Sequence, residues 1–343
     1  MTDTVLVTGG TGYIAQWCIV ELLNRGYSVR TTIRAAVKEQ GVRAAVATLA
    51  GEAAHSERLT FALADLTDDA GWDAAVAGVD LVLHVASPLS PPSDDPEDMI
   101  RPARDGALRV LRAATAAGSG VKRVVQTSAA NAASLQSYTQ QGVTDETLWT
   151  DATDPALPLY RRSKTLAERA AWDFMADYDG PTTFATVLPG AVFGPILSAD
   201  NIGSAAVIQR MLRGRPPLLP RIGFEVIDVR DLVDLHLRAM IAPEAAGQRF
   251  LGTGDFLWMT QIAAELRAEL GAAARKVPTR RVPDFVVRLL ARRDASLAEI
   301  APALGRRNTH STEKARTLLA WSPRSGREAV LACAESLVAH GAA

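Results

Sequence analysis

A doubly wound α/β fold around a parallel sheet is the architecture this sequence predicts, and three observations predict it. Short apolar runs alternate with helix-period segments through the first half of the chain. The first run ends in a glycine-rich turn that opens a helix. After Pro189 the alternation gives way to prolines, glycines and short mixed segments, with helical patterns beyond them.

Residues 5–8 form the first strand. Residues 13–24 follow as a helix, with Ile14, Cys18 and Leu22 on one face and Gly26 as its stop. Further strands are expected at 28–33, 59–64, 81–85, 123–127 and 183–188, with an alanine-rich helix over 103–117 between the fourth and fifth. Such alternation gives right-handed crossovers. Beyond Pro189, helices are expected at 231–242, 260–270, 284–293, 312–319 and 326–339. The expected division is one domain over 1–189, with 222–242 returning to it, and a smaller, interleaved C-terminal domain over 190–343. Four prolines between Pro88 and Pro96 mark a loop. Five arginines within 278–293 are read as a solvated basic helix face.

Composition narrows the function classes. Of 343 residues, 48% are hydrophobic and 22% charged, which suits a soluble chain with a large core. A net charge of -1 gives no electrostatic basis for a nucleic-acid or anionic-membrane partner. No apolar run approaches the ~20 residues that span a bilayer, and the early first strand leaves no room for a signal peptide. Cys18 and Cys333 form no disulfide framework, so a cytoplasmic location is expected, with Cys18 as a small core hydrophobe. The five histidines have no metal-ligand spacing, and no metal is expected. Oligomeric state stays open between monomer and homodimer.

The turn after the first strand reads TGGTGYIA over 8–15. Glycine allows a tight bend and close approach of backbone N–H groups to a pyrophosphate, while the helix start adds partial positive charge. Gly9, Thr11 and Gly12, with the helix start at Tyr13 and Ile14, are the expected phosphate cradle of a Rossmann-type sheet, and Ala15 keeps the packing close. At the end of the second strand an acid would hold a ribose 2′-hydroxyl. Here Arg34 ends the strand and Lys38 follows one turn later, so NADP(H) is the expected cofactor. Asp65 and Leu66 end the third strand, where Asp65 serves either an adenine edge or a helix N-cap. Val85, Ala86 and Ser87 end the fourth with small residues that let a dinucleotide lie close.

Tyr160 and Lys164 stand four apart in a helical stretch, so their side chains share a face. A free phenol titrates near 10 and is a poor acid–base catalyst at neutral pH; lowering it to about 7 takes roughly 4 kcal/mol. An adjacent ammonium supplies such stabilisation.

These segments, with HVASP from His84, Thr127-Ser128 at the fifth strand end, LPGAVFGP from Leu188 and IDVRDLVDLH from Ile227, resemble the extended short-chain dehydrogenase/reductase superfamily. The dihydroflavonol-4-reductase-like and aldehyde/ketone reductase branch is the most similar. The resemblance covers nearly the whole chain. It implies NADPH-dependent reduction of a small-molecule carbonyl by a Ser-Tyr-Lys centre, with the 190–343 region binding substrate. It also implies that Lys164 holds the nicotinamide ribose and that Thr127, Pro189 and Val192 lie beside the cofactor. One position departs: the family's second serine is Ala129 here. Ser128 is the nearest hydroxyl, and a water or the amide of Asn131 is the alternative donor. Pocket walls are expected at 130–138 and 193–211. A sugar-nucleotide epimerase or dehydratase, and a non-catalytic NADP-sensing protein, are the alternative functions.

Overall fold

The structure is a computed structural model and describes residues 3–87, 95–137 and 139–343, with no side-chain description at 295, 296 and 299. Most of the proline-rich loop expected over 88–96, and Tyr138 of the expected pocket wall, lie outside the described residues.

The first half of the chain gives β1 (Thr4–Val7), α1 (Tyr13–Asn24), β2 (Ser28–Ile33), α2 (Glu39–Ala50), β3 (Leu59–Leu63) and α3 (Trp72–Val76). Then come β4 (Leu81–His84), α4 (Glu97–Thr115), β5 (Arg123–Thr127), β6 (Gln141–Thr144), α5 (Leu159–Ala176) and β7 (Thr183–Pro189). The rest holds β8 (Ala191–Phe193), α6 (Ala206–Leu212), β9 (Gly223–Asp228), α7 (Val229–Ile241), β10 (Gln248–Gly252) and β11 (Phe256–Trp258). It ends with α8 (Met259–Leu270), α9 (Asp284–Leu290), α10 (Ala295–Ile300), β12 (Arg307–His310), α11 (Glu313–Leu319) and α12 (Gly326–Ala339).

Seven strands form one parallel sheet in the order β10-β7-β5-β4-β1-β2-β3. The fold is thus the doubly wound α/β type expected. Its central strands carry apolar side chains toward both faces because both faces are covered. Leu6, Val82 and Val124 join Val110, Leu111 and Phe184 in the core on one side. Their neighbours Val5, Val7, Leu83 and Val125 join the α1 residues Cys18, Ile19 and Leu22 and the α7 residues Leu232 and Leu235 on the other. Burying one such side chain contributes about 1.5–3 kcal/mol. Cys18 and Cys333 are both free and buried, and burial pushes the Cys333 thiol up to about 12.

Several elements differ from the sequence expectation. β10 extends the sheet beside β7. Its residues QRFLG hide the strand, because the buried Arg249 breaks the apolar run. α4 starts six residues before 103, with Pro102 inside it; the proline suggests a boundary where the helix continues. Its Gly106 lies so close to the end of β3 that a Cβ there would stand 2.8 Å from Leu66 Cβ. Two small sheets complete the fold, β11-β9-β8 and β12-β6. The arginines of 278–293 are exposed, matching the solvated face expected, and Phe285 and Leu289 stand exposed among them.

Motif residues hold the C-terminal region to the sheet. Asp228 caps α7 by accepting from Arg230 N–H at 2.9 Å. Asp231 accepts from Arg324 N–H at 2.8 Å and pairs with its guanidinium at 2.9 Å. Among the described residues no helix is long and apolar enough to cross a membrane.

Candidate active site

One cleft of about 1320 Å³ opens over the carboxyl ends of the parallel strands. It includes the ends of β1 and β4, between which the strand order reverses, the usual ligand position in open α/β sheets. Gly9 has a φ of 72°, and a Cβ on it would stand 2.9 Å from Ala86 Cβ. Glycine is therefore required both by the backbone and by the approach of the two strand ends. Gly9 N–H donates to Thr32 Oγ1 at 2.8 Å, and Gly12 N–H returns to the Gly9 carbonyl at 2.8 Å. α1 then starts with Gly12 as N-cap and no side-chain cap, which leaves its first N–H groups to the cleft that Thr11, Tyr13 and Ile14 border. The Tyr13 phenol itself is a tether, donating to the Gly194 carbonyl at 2.9 Å.

Arg34 borders the cleft, exposed, and its side chain makes no hydrogen bond or ion pair among the described residues. Lys38 is exposed on a 3-10 turn and is not part of the cleft wall. Asp65 and Leu66 are; the Asp65 carboxylate closes a local turn, accepting from Thr67 N–H at 2.9 Å and Thr67 Oγ1 at 2.8 Å. These bonds hold it below the usual carboxylate range. Val85, Ala86, Ser87, Pro189 and Val192 border the cleft as well.

α5 carries Tyr160, Lys164 and Glu168 at successive four-residue steps on one face. Tyr160 keeps 45% of its surface open. Even so, loss of solvation pushes its phenol up, and burial pushes the Lys164 ammonium down to about 8 against the pull of Glu168. The lowering of the phenol expected from Lys164 together with an oxidised nicotinamide is thus not a property of the chain's own residues, in which desolvation is what shifts the phenol. Beneath the pair, Glu168 Oε1 accepts from Arg249 Nε and Thr186 Oγ1, each at 2.8 Å. Glu168 Oε2 accepts from Ser128 Oγ at 2.6 Å. Ser128, expected to turn its hydroxyl toward a bound carbonyl, turns it inward instead. Strand alternation points position 128 at α5 and leaves Ala129 on the opposite side. Thr127 Oγ1 lies 2.8 Å from His236 Nε2, whose Nδ1 meets the Leu232 carbonyl; burial pushes His236 down to about 4. His84 is pushed down to about 3 by burial and then by the Lys164 charge. It is neutral, and its Nδ1 lies 2.9 Å from Thr8 Oγ1.

The model of the NAD dependent epimerase/dehydratase family matches residues 5–251. The chain belongs to that family. Within it, the ketoreductase azaE of Aspergillus niger is 34% identical over 83% of this chain and 87% of its own length. Dihydroflavonol 4-reductase of Zea mays is 33% identical over 77% of this chain and 73% of its own. Among solved structures, Gre2 of Candida albicans in its NADPH complex superposes with a TM-score of 0.80 at 26% identity, over 98% of this chain and 99% of that one. The protein is an oxidoreductase of the extended short-chain dehydrogenase/reductase type.

Around this family frame the cleft has residues of its own. Ser134, His310 and Glu225 border it as a hydrogen-bonded chain: Ser134 Oγ is 3.0 Å from His310 Nε2, and Glu225 bonds His310 through Nδ1 and the backbone N–H. Arg306, Asn308 and His310 all border the cleft. They alternate along β12 and the residue before it, so they share a face. None was legible as a site residue, because RNTH carries no apolar alternation to announce a strand. The i+4 step from Lys164 was the signal for Glu168.

Proposed function

We propose that this oxidoreductase reduces an aldehyde or ketone to the alcohol with NADPH, and that Tyr160 supplies the proton. The observation that carries the proposal is the pairing of Tyr160 and Lys164 on the cleft face of α5. The cleft suits the cofactor: an uncapped helix start, a Gly9 whose close packing admits no side chain, and Arg34 with no ion pair among the described residues. Gly9 to Ile14 would hold the pyrophosphate, Arg34 a 2′-phosphate, Lys164 the nicotinamide ribose, and Pro189 and Val192 the ring face. When bound, NADPH supplies the hydride.

The chain's own part is proton delivery and orientation. Tyr160 Oη donates to the carbonyl oxygen, and the Lys164 ammonium stabilises the phenolate left behind. The second donor to that oxygen is the Asn131 side chain. It borders the cleft beyond β5 and has no hydrogen-bond partner among the described residues, whereas the Ser128 proton is committed to Glu168. The relatives named as reductases support this reading of the family over its epimerase members. The test is NADPH oxidation at 340 nm with a panel of aryl ketones and aldehydes. Stoichiometric conversion of cofactor and carbonyl is expected; a cofactor that is never consumed would point to an epimerase.

A further inference from the structure

The substrate wall of the cleft holds two arginines that form no ion pair among the described residues. Arg161 follows Tyr160 in the first turn of α5, and Arg306 precedes β12 on the facing lobe. Both border the cleft. Arg306 is only 9% exposed, and it is anchored by one bond, Nη2 to the Leu135 carbonyl at 2.6 Å. Its Nε and that of Arg161 are buried donors with no partner. The Arg161 side chain makes no hydrogen bond or ion pair among the described residues.

Buried guanidinium groups are normally paired, because an unmatched charge in a dry site is costly. The nearby acids bond other groups and pair with neither arginine, though the Asp154 charge reaches both. Asp154 receives the N–H groups of Ser137 at 3.1 Å and Ala156 at 2.9 Å, and Glu225 is bonded to His310. The two arginines also act on each other. Burial, followed by the Arg306 charge, pushes Arg161 down to about 10 against the pull of Asp154. A planar fork of donors with no acid opposite it matches a carboxylate.

We propose that Arg161 and Arg306 form a carboxylate subsite, so that the carbonyl compound reduced here carries an acid group. The proposal rests on the reductase reading above and adds the substrate class. A carboxylate there gives the two guanidinium groups an acid partner, relieves the repulsion between the two cations and fixes which end of the substrate reaches Tyr160.

The test compares keto acids of increasing chain length with their methyl esters in NADPH oxidation. The best acid should exceed its ester in kcat/KM by about tenfold or more, the size of one charged hydrogen bond. Arg161→Gln and Arg306→Gln should each pull that ratio toward one. Arg161 has no bond to lose, so its variant decides the matter if Arg306→Gln fails to fold. In parallel, hexanoate, hexanamide and inorganic phosphate are titrated calorimetrically into the NADP-loaded protein. Saturable heat from hexanoate alone, lost in both variants, is expected. Acid and ester turned over equally, an acid preference that survives both substitutions, or tighter binding of phosphate than of hexanoate would each overturn the carboxylate assignment. If no carbonyl is reduced at all, the reductase reading falls, and the titration still decides the subsite.

Discussion

At the scale of single residues, the chemistry turns on which hydroxyls and amides are free to act. Tyr160→Phe removes the proton donor and little else, so kcat should fall ~10²–10⁴-fold while NADPH affinity, read by fluorescence titration, stays near wild type. Asn131→Ala should lower kcat by about 10²–10³, the usual cost of one donor to a developing oxyanion. Ser128→Ala should instead spare kcat and lower the melting temperature, since its hydroxyl serves Glu168; a kcat loss equal to that of Asn131→Ala would return the role to Ser128. Lys164 sets the pH dependence. Its ammonium is held down to about 8 by burial, so the charged fraction falls as pH rises through 8, and kcat/KM should fall with it. The Tyr160 phenol, shifted up, stays protonated over that range. Lys164→Arg keeps the charge and should move the fall to higher pH. For stability the sign is opposite: a depressed lysine releases its proton earlier in the folded state, so its charge-burial cost is greatest below about pH 8 and is relieved as pH climbs toward the unfolded value of about 10.4.

At the scale of elements, α5 links the reacting groups to the core. Its face runs from Tyr160 through Lys164 to Glu168, and Glu168 binds the residue after β5 through Ser128, β7 through Thr186 and β10 through Arg249. The Arg249–Glu168 pair is buried, with Arg249 stacked 3.7 Å over the Trp149 ring. Glu168→Gln leaves that guanidinium unmatched, and breaking such a pair costs about 3–5 kcal/mol. Urea unfolding should show a loss of that order. A variant of wild-type stability would show that water already screens the pair. The sequence revealed the helix and its first two side chains, because an i+4 step is visible in a string of letters. It did not reveal β10, whose Arg249 is acceptable in a buried strand only because an acid from α5 stands opposite.

At the scale of the molecule, the cleft brings the N-terminal glycine turn, the α5 face and the β12 wall into one cavity. NADP(H) spanning the first two should stabilise the whole protein. At a hundred times its Kd a ligand adds about 2.7 kcal/mol, so NADPH should raise the melting temperature more than equimolar NADH does. Arg34→Ala should erase most of that difference, which a charged hydrogen bond sets at roughly ten- to a hundredfold in affinity. Equal shifts from the two cofactors in the wild type would remove Arg34 from the 2′-phosphate.

Local signals alone determined the doubly wound sheet, the helix starting at Tyr13, the glycine turn and the Tyr160–Lys164 pair. Each rests on periodicity or spacing within a few residues, where backbone geometry dictates which side chains share a face. Only the tertiary structure decided where the Ser128 hydroxyl points, that Arg249 can lie in a core strand, and that Arg161 and Arg306 border one cleft. Those facts join positions 40, 81 and 145 residues apart (168 − 128, 249 − 168 and 306 − 161). Burial and charge pairing depend on such through-space neighbours, and no local pattern encodes them.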